Sequence, residues 1–300
     1  MRVFVTGASG FLGRVVCAQL LEREHVVGVL VRRAGSEPPG CEPARGDLSD
    51  TATLTRALQE AGADCVVHLA AEIATQRSRR RIDEVNVEGT RRLLHACTAA
   101  GGPRVVFAST VVTGDAGGAV LSEDAPLPVR TAYGHSKQQG EKLVRESGLP
   151  SVILRPSHVY GPGGWFAQEI VGRLRAPGRL AIVGSGLNWW DVVRVEDVAT
   201  AVCESVERAP SGSIYHVVDD DPVTYAEFVG FAASALGRGP ARRIPAPIAR
   251  LVAGADPVRA VTRSARSSNA LIKQELGWEP RWPTSREGVP DAVARIPARA

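Results

Sequence analysis

Short apolar runs alternate with amphipathic segments over the first half of the chain. The apolar runs are continuous and rich in β-branched residues, which is typical of strands that helices cover on both faces. These runs predict strands at Arg2–Thr6, Val26–Val31, Asp64–Leu69, Arg104–Ala108 and Ser151–Leu154. The amphipathic segments predict helices at Phe11–Arg23, Thr51–Ala61, Ile82–Ala100 and Ala132–Ser147. The alternation indicates βαβ units, and therefore an α/β fold built on a Rossmann-type, doubly wound parallel sheet.

The pattern becomes less regular after Pro156. Gly161-Pro162-Gly163-Gly164 opens a segment that contains tryptophan, and the chain from about residue 221 onwards is helical and irregular. We therefore expect residues 1–155 to form the Rossmann domain, which the chain rejoins at about 190–220. Residues 156–189 and 221–300 are expected to form a smaller, interleaved C-terminal lobe.

Composition and charge argue against several classes of protein. The formal charge is +4, but 33 of the 36 basic residues are arginines spread along the chain. Because no nucleic-acid motif accompanies them, we expect no nucleic-acid partner. No run approaches the ~18 apolar residues of a membrane span, and the first apolar run is too short for a secretory signal. Five cysteines at spacings that match no metal or redox motif predict free thiols in a reducing cytoplasm, and no metal site.

A glycine-rich segment, Thr6–Gly13, lies between the first predicted strand and the first predicted helix. Gly7 can adopt the tight turn, Gly10 lets the backbone approach a pyrophosphate, and Gly13 lets the helix pack closely on the sheet. The N-terminus of the helix then offers unpaired N–H groups and a partial positive charge to the phosphates. The segment therefore predicts a dinucleotide-binding site.

Further motifs follow the glycine-rich segment in a characteristic order. They are Gly46-Asp47-Leu48, His68-Leu69-Ala70-Ala71, Asn86-Val87-Glu88-Gly89-Thr90, Phe107-Ala108-Ser109-Thr110, Tyr133-x-x-x-Lys137, Arg155-Pro156, Val159-Tyr160-Gly161-Pro162-Gly163 and Val195-Glu196-Asp197-Val198-Ala199. In this order, and with the G-x-x-G-x-x-G spacing of the glycines, the chain resembles the extended short-chain dehydrogenases/reductases. This group holds sugar-nucleotide epimerases, dehydratases and many ketoreductases. The resemblance covers nearly the whole chain.

The resemblance implies a nicotinamide cofactor, a small-molecule substrate bound by the C-terminal lobe, and a set of cofactor contacts. That set is Gly7, Ser9, Gly10, Phe11, Leu12, Gly13, Asp47, Leu48, Leu69, Ala70, Ala71, Tyr133, Lys137, Pro156, His158 and Val159. Within it, Asp47 would contact the adenine amine, unless it is only a loop acid near the cap of the helix that starts at about Thr51. Asn86 would support the helix that carries the active site. A homodimer stays open as a further partner.

The end of the second predicted strand favours NADP over NAD. An NAD site usually has an acidic residue about twenty positions beyond the glycine loop, where it binds the ribose 2′-hydroxyl. Here the strand ends in Arg32 and Arg33, with no carboxylate. Guanidinium groups make bidentate hydrogen bonds to a 2′-phosphate, and Arg14 on the neighbouring helix is a third candidate. The alternative is that both are solvated surface arginines.

Tyr133 and Lys137 lie four residues apart on a predicted helix, so they share a face. A phenol has a pKa near 10, and a nearby ammonium together with oxidised nicotinamide lowers it towards neutral pH. Ser109 ends a predicted strand and can hydrogen-bond the reacting oxygen, with Thr110 as a second hydroxyl. Ser109, Tyr133 and Lys137 are therefore the predicted catalytic group. His68 is interpreted as a hydrogen-bonded core histidine rather than an acid or base.

Two departures from the family pattern bear on the substrate. Family dehydratases carry an Asp-Glu pair directly after the hydroxyl residue, where this chain has Thr110 and Val111. Sugar-nucleotide members often carry Asn in the segment of His158, and an Arg that binds the diphosphate in place of Trp190. If the segment around Trp190 is a strand, Arg194 lies on the same face and remains a candidate for that contact.

We therefore expect an NADP(H)-dependent oxidoreductase. It would reduce a carbonyl, or oxidise an alcohol, on a small-to-medium and partly apolar substrate, with Tyr133 transferring the proton. Two alternatives remain: a nucleoside-diphosphate-sugar epimerase or ketoreductase, and a non-catalytic NADP-sensing protein.

Overall fold

The structure, a computed structural model, describes residues 1–33, 35–73, 76, 78–176 and 180–298. Its strands are β1 Arg2–Thr6, β2 Val26–Val31, β3 Glu42–Arg45, β4 Cys65–His68, β5 Arg104–Ala108, β6 Val120–Leu121, β7 Ser151–Pro156, β8 His158–Tyr160, β9 Ala181–Val183, β10 Trp189–Trp190, β11 Val192–Arg194, β12 Ile214–Val217, β13 Val223–Thr224, β14 Arg242–Ile244 and β15 Arg266–Ser267. Its helices are α1 Phe11–Glu22, α2 Thr51–Ala61, α3 Arg79–Asp83, α4 Gly89–Ala99, α5 Ala132–Glu146, α6 Gly172–Arg175, α7 Val195–Glu207, α8 Tyr225–Ala235, α9 Ala246–Ala253, α10 Ala255–Thr262, α11 Ala270–Leu276 and α12 Ser285–Ala294. Two π-helical turns, Glu84–Glu88 and Phe166–Val171, precede α4 and α6.

Seven parallel strands form the central sheet, in the order β3-β2-β1-β4-β5-β7-β12. This confirms the predicted α/β class and the doubly wound sheet. The chain winds outwards from β1 to β2 on one side and from β4 to β5 on the other. The strand order therefore reverses between β1 and β4, and the crevice beyond their carboxyl ends is where such sheets bind ligands.

The predicted bounds hold for β1, β2, β5 and α2. Two strands of the sheet, β3 and β12, were not among those predicted. β3 has the sequence Glu-Pro-Ala-Arg, which lacks β-branched residues, and its proline is tolerated because β3 is an edge strand. The prediction of one continuous helix over Ile82–Ala100 is wrong, because the helix begins at Arg79 and a π-helical turn at Glu84–Glu88 interrupts it.

Two apolar layers cover the faces of the sheet. One layer contains α1 and α7, with Val16, Leu20 and Val202 buried against the strands. The other contains α2, α4 and α5, with Leu54 and Leu93 buried among its core residues. The alternation of side chains along the β-branched strands supplies both layers at once, as a sheet that is buried on both faces requires.

The smaller lobe has its own aromatic core, in which Tyr160, Phe166 and Phe228 are fully buried and their rings lie 5.5–5.8 Å apart. The chain then returns to the sheet at α11, because Ile272 and Trp278 are buried in the core layer of α1. Part of the segment predicted for the lobe therefore packs with the sheet. No helix of the described chain has the length and apolar character needed to cross a membrane.

Candidate active site

The glycine-rich segment forms a tight turn between β1 and α1. Gly7 has a φ of +77°, and a Cβ atom there would lie 2.6 Å from the backbone nitrogen of Ala70. A Cβ atom on Gly13 would lie 2.2 Å from the carbonyl oxygen of Gly7. Both positions therefore require glycine. α1 begins without a side-chain cap at Gly10, which leaves its first N–H groups for another acceptor.

The other predicted contacts of this turn lie at the start of α1. Ser9 is exposed, and its carbonyl oxygen accepts a hydrogen bond of 3.0 Å from Nε of Arg14. Phe11 is half-buried, and the glycines of the segment after β8 pack on its ring. Leu12 packs against the core layer of α1. The turn, Phe11 and the segment after β8 thus enclose the mouth of the crevice.

Three arginines line an open cleft of about 390 Å³ beyond the carboxyl ends of β2 and β3. The lining residues are Arg32, Arg45, Gly46, Asp47, Asp50, Thr53 and Arg56. Arg33 is exposed but does not line this cleft. The sequence analysis did not identify Arg45 and Arg56. Arg45 ends the strand that was missed, and Arg56 lies on the exposed face of α2.

Asp47 lies in this cleft but does not cap α2. Its Oδ1 accepts hydrogen bonds of 2.8 and 2.7 Å from the backbone N–H and the hydroxyl of Ser49. Burial alone would raise the pKa of Asp47, but these hydrogen bonds and the nearby Arg32 lower it below its ordinary value. Asp50 is the cap, because its carboxylate accepts from the backbone N–H of Ala52. The carboxylate of Asp47 is therefore charged and lies beside arginine. Leu48, which follows it, packs against the start of α4.

The carboxyl end of β4 is fixed by hydrogen bonds to β1. The backbone N–H of Leu69 donates to the carbonyl oxygen of Thr6 over 3.1 Å, and Ala70 lies against Gly7. His68 lies between two hydroxyls, with Nδ1 2.6 Å from Thr6 and Nε2 2.9 Å from Thr90. Burial lowers the pKa of His68 to about 3, so it stays neutral. The prediction of a hydrogen-bonded core histidine is confirmed.

Asn86 links the segment that follows β4 to α5. It lies in the π-helical turn, where its Oδ1 accepts from the backbone N–H of Glu72 over 2.8 Å. Its Nδ2 donates to the carbonyl oxygen of Glu72 and to the hydroxyl of Ser136, both over 2.9 Å. Ala71 immediately precedes Glu72, so these bonds hold the predicted cofactor contact next to α5. The predicted supporting role of Asn86 is thus matched by its contacts.

Tyr133 and Lys137 lie on the first turns of α5, at the carboxyl end of β5. α5 begins there because Thr131 caps it, accepting from the backbone N–H of Gly134. The Tyr133 hydroxyl has no hydrogen bond to any described residue, and burial raises its pKa to about 12. Lys137 is 4% exposed, and its Nζ donates to the carbonyl oxygen of Ala108 over 2.7 Å. Burial lowers the pKa of Lys137 to about 8, with nearby Glu141 acting in the opposite direction.

Ser109 lies at the end of β5, but its hydroxyl is engaged by a buried carboxylate. It donates to Oε1 of Glu141 over 2.5 Å. Glu141 also accepts two hydrogen bonds from Arg155, of 2.9 Å at Nε and 2.8 Å at Nη2. Within the described chain, Ser109 makes no hydrogen bond to Tyr133 or Lys137. The second predicted hydroxyl, Thr110, donates to the carbonyl oxygen of Pro156 over 3.1 Å.

Glu141 was missed by the sequence analysis, although its spacing could have revealed it. It lies four residues after Lys137 and therefore on the same face of α5. Through Ser109 and Arg155 it joins α5 to β5 and β7, the two strands that carry the predicted catalytic and cofactor-binding segments. It holds Tyr133 and Lys137 in register with the sheet.

The segment after β7 forms the opposite wall of the site. Pro156 is buried, and Val159 pairs with Val193 of β11. Nδ1 of His158 donates to the carbonyl oxygen of Asp191 over 2.9 Å, so its other nitrogen, Nε2, carries no proton and can accept a hydrogen bond. The ring of His158 stacks on that of Trp190, with centroids 3.7 Å apart. Aromatic surface therefore occupies the place where sugar-nucleotide enzymes often have polar groups.

Arg194 is fully buried and cannot supply the diphosphate contact considered above. Its Nε donates to Glu196 over 2.7 Å, its Nη2 to Asp291 over 2.6 Å, and its Nη1 to the carbonyl oxygen of Gly288. The rings of Tyr160 and Trp282 also cover its guanidinium. Every edge of this group has a protein partner, and Arg194 therefore joins β11 to α12.

Comparison with known proteins agrees with this arrangement. The NAD dependent epimerase/dehydratase family model matches residues 3–218. A 3-diazoavenalumate denitrifying reductase of a Streptomyces species is 31% identical over 96% of this chain and 99% of its own length. A 2-alkyl-3-oxoalkanoate reductase of Stenotrophomonas maltophilia is 33% identical over 79% of this chain and 76% of its own. Among solved structures, a dTDP-glucose 4,6-dehydratase of Streptomyces venezuelae with bound NAD is 27% identical, with a TM-score of 0.84 over 98% of this chain and 96% of its own.

Proposed function

The chain belongs to the NAD dependent epimerase/dehydratase family, and on that premise we propose that it is an NADP(H)-dependent carbonyl reductase. The observation that carries the proposal is the placement of Tyr133 and Lys137 on the first turns of α5, where Lys137 contacts the carboxyl end of β5. Tyr133 has a hydroxyl with no protein partner among the described residues, and Lys137 is a buried ammonium. The named relatives in the previous comparison include two reductases.

The site fits a nicotinamide dinucleotide. The turn at Gly7 and Gly13 has no room for a Cβ atom, and α1 begins without a side-chain cap, so its first N–H groups can donate to a phosphate. We propose that Arg32 binds the 2′-phosphate of NADP, supported by Arg45 and Arg56 in the same cleft. The cofactor, when bound, supplies the hydride that reaches the carbonyl carbon.

Tyr133 supplies the proton. Its raised pKa keeps the hydroxyl protonated at neutral pH, which suits a group that donates a proton to the carbonyl oxygen as the alcohol forms. We propose that Lys137, one helical turn further along the same face of α5, supplies positive charge that stabilises the resulting phenolate. Ser109 acts through its bond to Glu141, as a residue that positions β5 against α5. The sequence predicted that Ser109 would also donate a hydrogen bond to the carbonyl oxygen. We do not assign that role to Ser109 or to another residue.

The walls of the site favour a partly apolar substrate. Trp190 stacks on His158, and the edge of Trp165 faces the same imidazole ring. Thr110 and Val111 supply no acid or base for the elimination of water, and Val111 is buried. Arg194, fully paired within the protein, offers nothing to a diphosphate. These contacts support a ketone substrate over a nucleoside-diphosphate sugar.

The test of the proposal is whether the protein oxidises NADPH when a medium-chain ketone is added. The rate of this reaction should depend on pH, because Lys137 loses its charge within the accessible range. The pKa of Lys137 is lowered to about 8, so its ammonium is present below that pH and lost above it. We expect kcat/KM for reduction to fall as pH rises through about 8. The variant Lys137→Arg keeps its charge throughout this range and, where it retains activity, should lack the fall. A rate that rises across the same interval, or no ketone-dependent oxidation of NADPH at any pH, would contradict the proposal.

A further inference from the structure

Arg263 is a buried cation, and the edge of its guanidinium formed by Nε and Nη2 makes no hydrogen bond within the described chain. It is 4% exposed, and Nη1 donates to the carbonyl oxygen of Gly114 over 3.3 Å. Its Nε and Nη2 have no hydrogen-bond partner in the part of the chain that the structure describes. A buried guanidinium with unpaired N–H groups is costly, because these groups have lost the water that would solvate them. The Nε–Nη2 edge is therefore a candidate binding site for an anion.

The same edge binds a carboxylate at two other buried arginines of this protein. Arg155 donates from Nε and Nη2 to the two carboxylate oxygens of Glu141, over 2.9 and 2.8 Å. Arg194 donates from Nε and Nη2 to the two oxygens of Glu196, over 2.7 and 3.3 Å. The two N–H groups of this edge point in parallel, and their spacing matches a carboxylate.

Arg263 lies at the carboxyl edge of the sheet, between the two walls of the candidate active site. Gly114, which it contacts, belongs to the segment that follows β5. The neighbouring Thr113 lies against Gly134, the residue after Tyr133, with 3.1 Å between the Cα of Thr113 and the Cβ position of Gly134. On the other side, the guanidinium lies 5.9 Å from the ring centre of Trp190, which stacks on His158.

The backbone around Arg263 is held in place before any ligand binds. Nδ2 of Asn188 donates to the carbonyl oxygen of Arg263 over 2.8 Å. The next residue, Ser264, accepts at its carbonyl oxygen from the backbone N–H groups of Ala116 and Gly118, over 2.9 and 3.0 Å. The edge is therefore preorganised, which reduces the ordering cost of binding.

No acidic side chain of the described residues forms an ion pair with Arg263, so its guanidinium can bind another anion. Asp191 and Asp115 act electrostatically on its guanidinium, and neither forms an ion pair with Arg263 in the described chain. Burial raises the pKa of Asp191 to about 7 and that of its neighbour Asp219 well above the ordinary value. Burial thus reduces the negative charge on Asp191 and Asp219, and Asp115 accepts from the backbone N–H groups of Gly117 and Ser264.

We propose that the Nε–Nη2 edge of Arg263 binds a carboxylate of the substrate, and hence that the enzyme reduces keto acids. The proposal rests on the proposed carbonyl reductase function, since it concerns the substrate of the same site. It adds the class of molecule that the site selects, and it makes Arg263 a specificity-determining residue.

The test compares 3-oxooctanoate with its neutral methyl ester as substrates for NADPH-dependent reduction. For Arg263→Gln we expect kcat/KM to fall roughly 30- to 100-fold with the acid and less than about threefold with the ester. Arg263→Lys keeps the charge but loses the two parallel N–H groups, so its loss should be intermediate. Arg250→Gln, at an exposed arginine of α9, is the matched control and should change neither substrate.

A binding measurement separates this proposal from the reductase proposal. Calorimetry with octanoate and the NADP⁺-loaded protein should show binding that Arg263→Gln removes, while affinity for NADP⁺ is unchanged. Carboxylate binding of this kind without reduction of either ketone would overturn the reductase proposal and leave standing only the carboxylate contact of Arg263. Equal losses with acid and ester, no octanoate binding, or UDP binding that depends on Arg263 would overturn the keto-acid proposal.

Discussion

Replacing Tyr133 with phenylalanine should lower ketone reduction by about 10²–10⁴-fold, the usual range for a positioned proton donor. The substitution keeps the half-buried ring and removes only the hydroxyl. Because no described residue hydrogen-bonds that hydroxyl, its loss leaves no protein group unpaired, and the fold should tolerate it. Turnover of NADPH with a ketone measures the effect, and fluorescence titration should show that NADPH still binds.

A matched control for this prediction is Tyr215→Phe. The hydroxyl of Tyr215 donates to Glu275 over 2.6 Å, on an edge strand of the sheet. Its loss should cost about 1 kcal/mol of stability and leave turnover unchanged. If Tyr133→Phe keeps more than about a tenth of the activity, the proton comes from another group.

Replacing Arg32 with aspartate should lower the preference for NADPH over NADH by more than about 100-fold. Each charge-assisted hydrogen bond to the 2′-phosphate contributes about 1.5–3 kcal/mol, and the new carboxylate adds repulsion. The same carboxylate can accept a hydrogen bond from the 2′-hydroxyl of NADH, as in NAD-specific sites. Dissociation constants of both cofactors, measured for both proteins, give the change in preference.

The control for the cofactor prediction is Arg243→Asp. Arg243 is an exposed arginine of β14 and lies outside the Arg32 cleft. The same change in charge there should alter neither dissociation constant by more than about twofold. Tighter binding of NADH than of NADPH by the unmodified protein would contradict the assignment of Arg32.

The fold was largely predictable because its signals are local. A β-branched run followed by Gly7, Gly10 and Gly13 specifies a strand, a turn and a helix within thirteen residues. β3 was missed because its own sequence has low β-propensity. Its strand conformation is stabilised by pairing with β2, which the sequence of β3 alone does not show. The π-helical turn was missed because it is associated with contacts to distant parts of the chain. In this turn Asn86 hydrogen-bonds with Glu72 and Ser136.

The site was less predictable because its decisive contacts join distant parts of the chain. Ser109 could be placed at the end of a strand, but its bond to Glu141 depends on how α5 lies on the sheet. The sequence places Trp190 and Arg194 on one face if the segment is a strand. It does not show that Arg194 is paired with Glu196 and Asp291, as the structure does.

Arg263 had no sequence signal at all. It is one of 33 arginines in a chain of 300 residues, and nothing in its neighbours distinguishes it. Only the packing shows that it is buried and that its Nε–Nη2 edge has no partner among the described residues, in contrast to Arg155 and Arg194.

Transfer of deuterium from NADPH labelled at both C4 positions tests the central claim most directly. The unmodified protein is incubated with the labelled cofactor and a medium-chain keto acid, and the product is analysed by mass spectrometry. A carbonyl reductase should yield an alcohol with one deuterium on the carbinol carbon for each NADPH oxidised. Unchanged ketone and cofactor, together with interconversion of a nucleoside-diphosphate sugar without net oxidation of NADPH, would contradict the account.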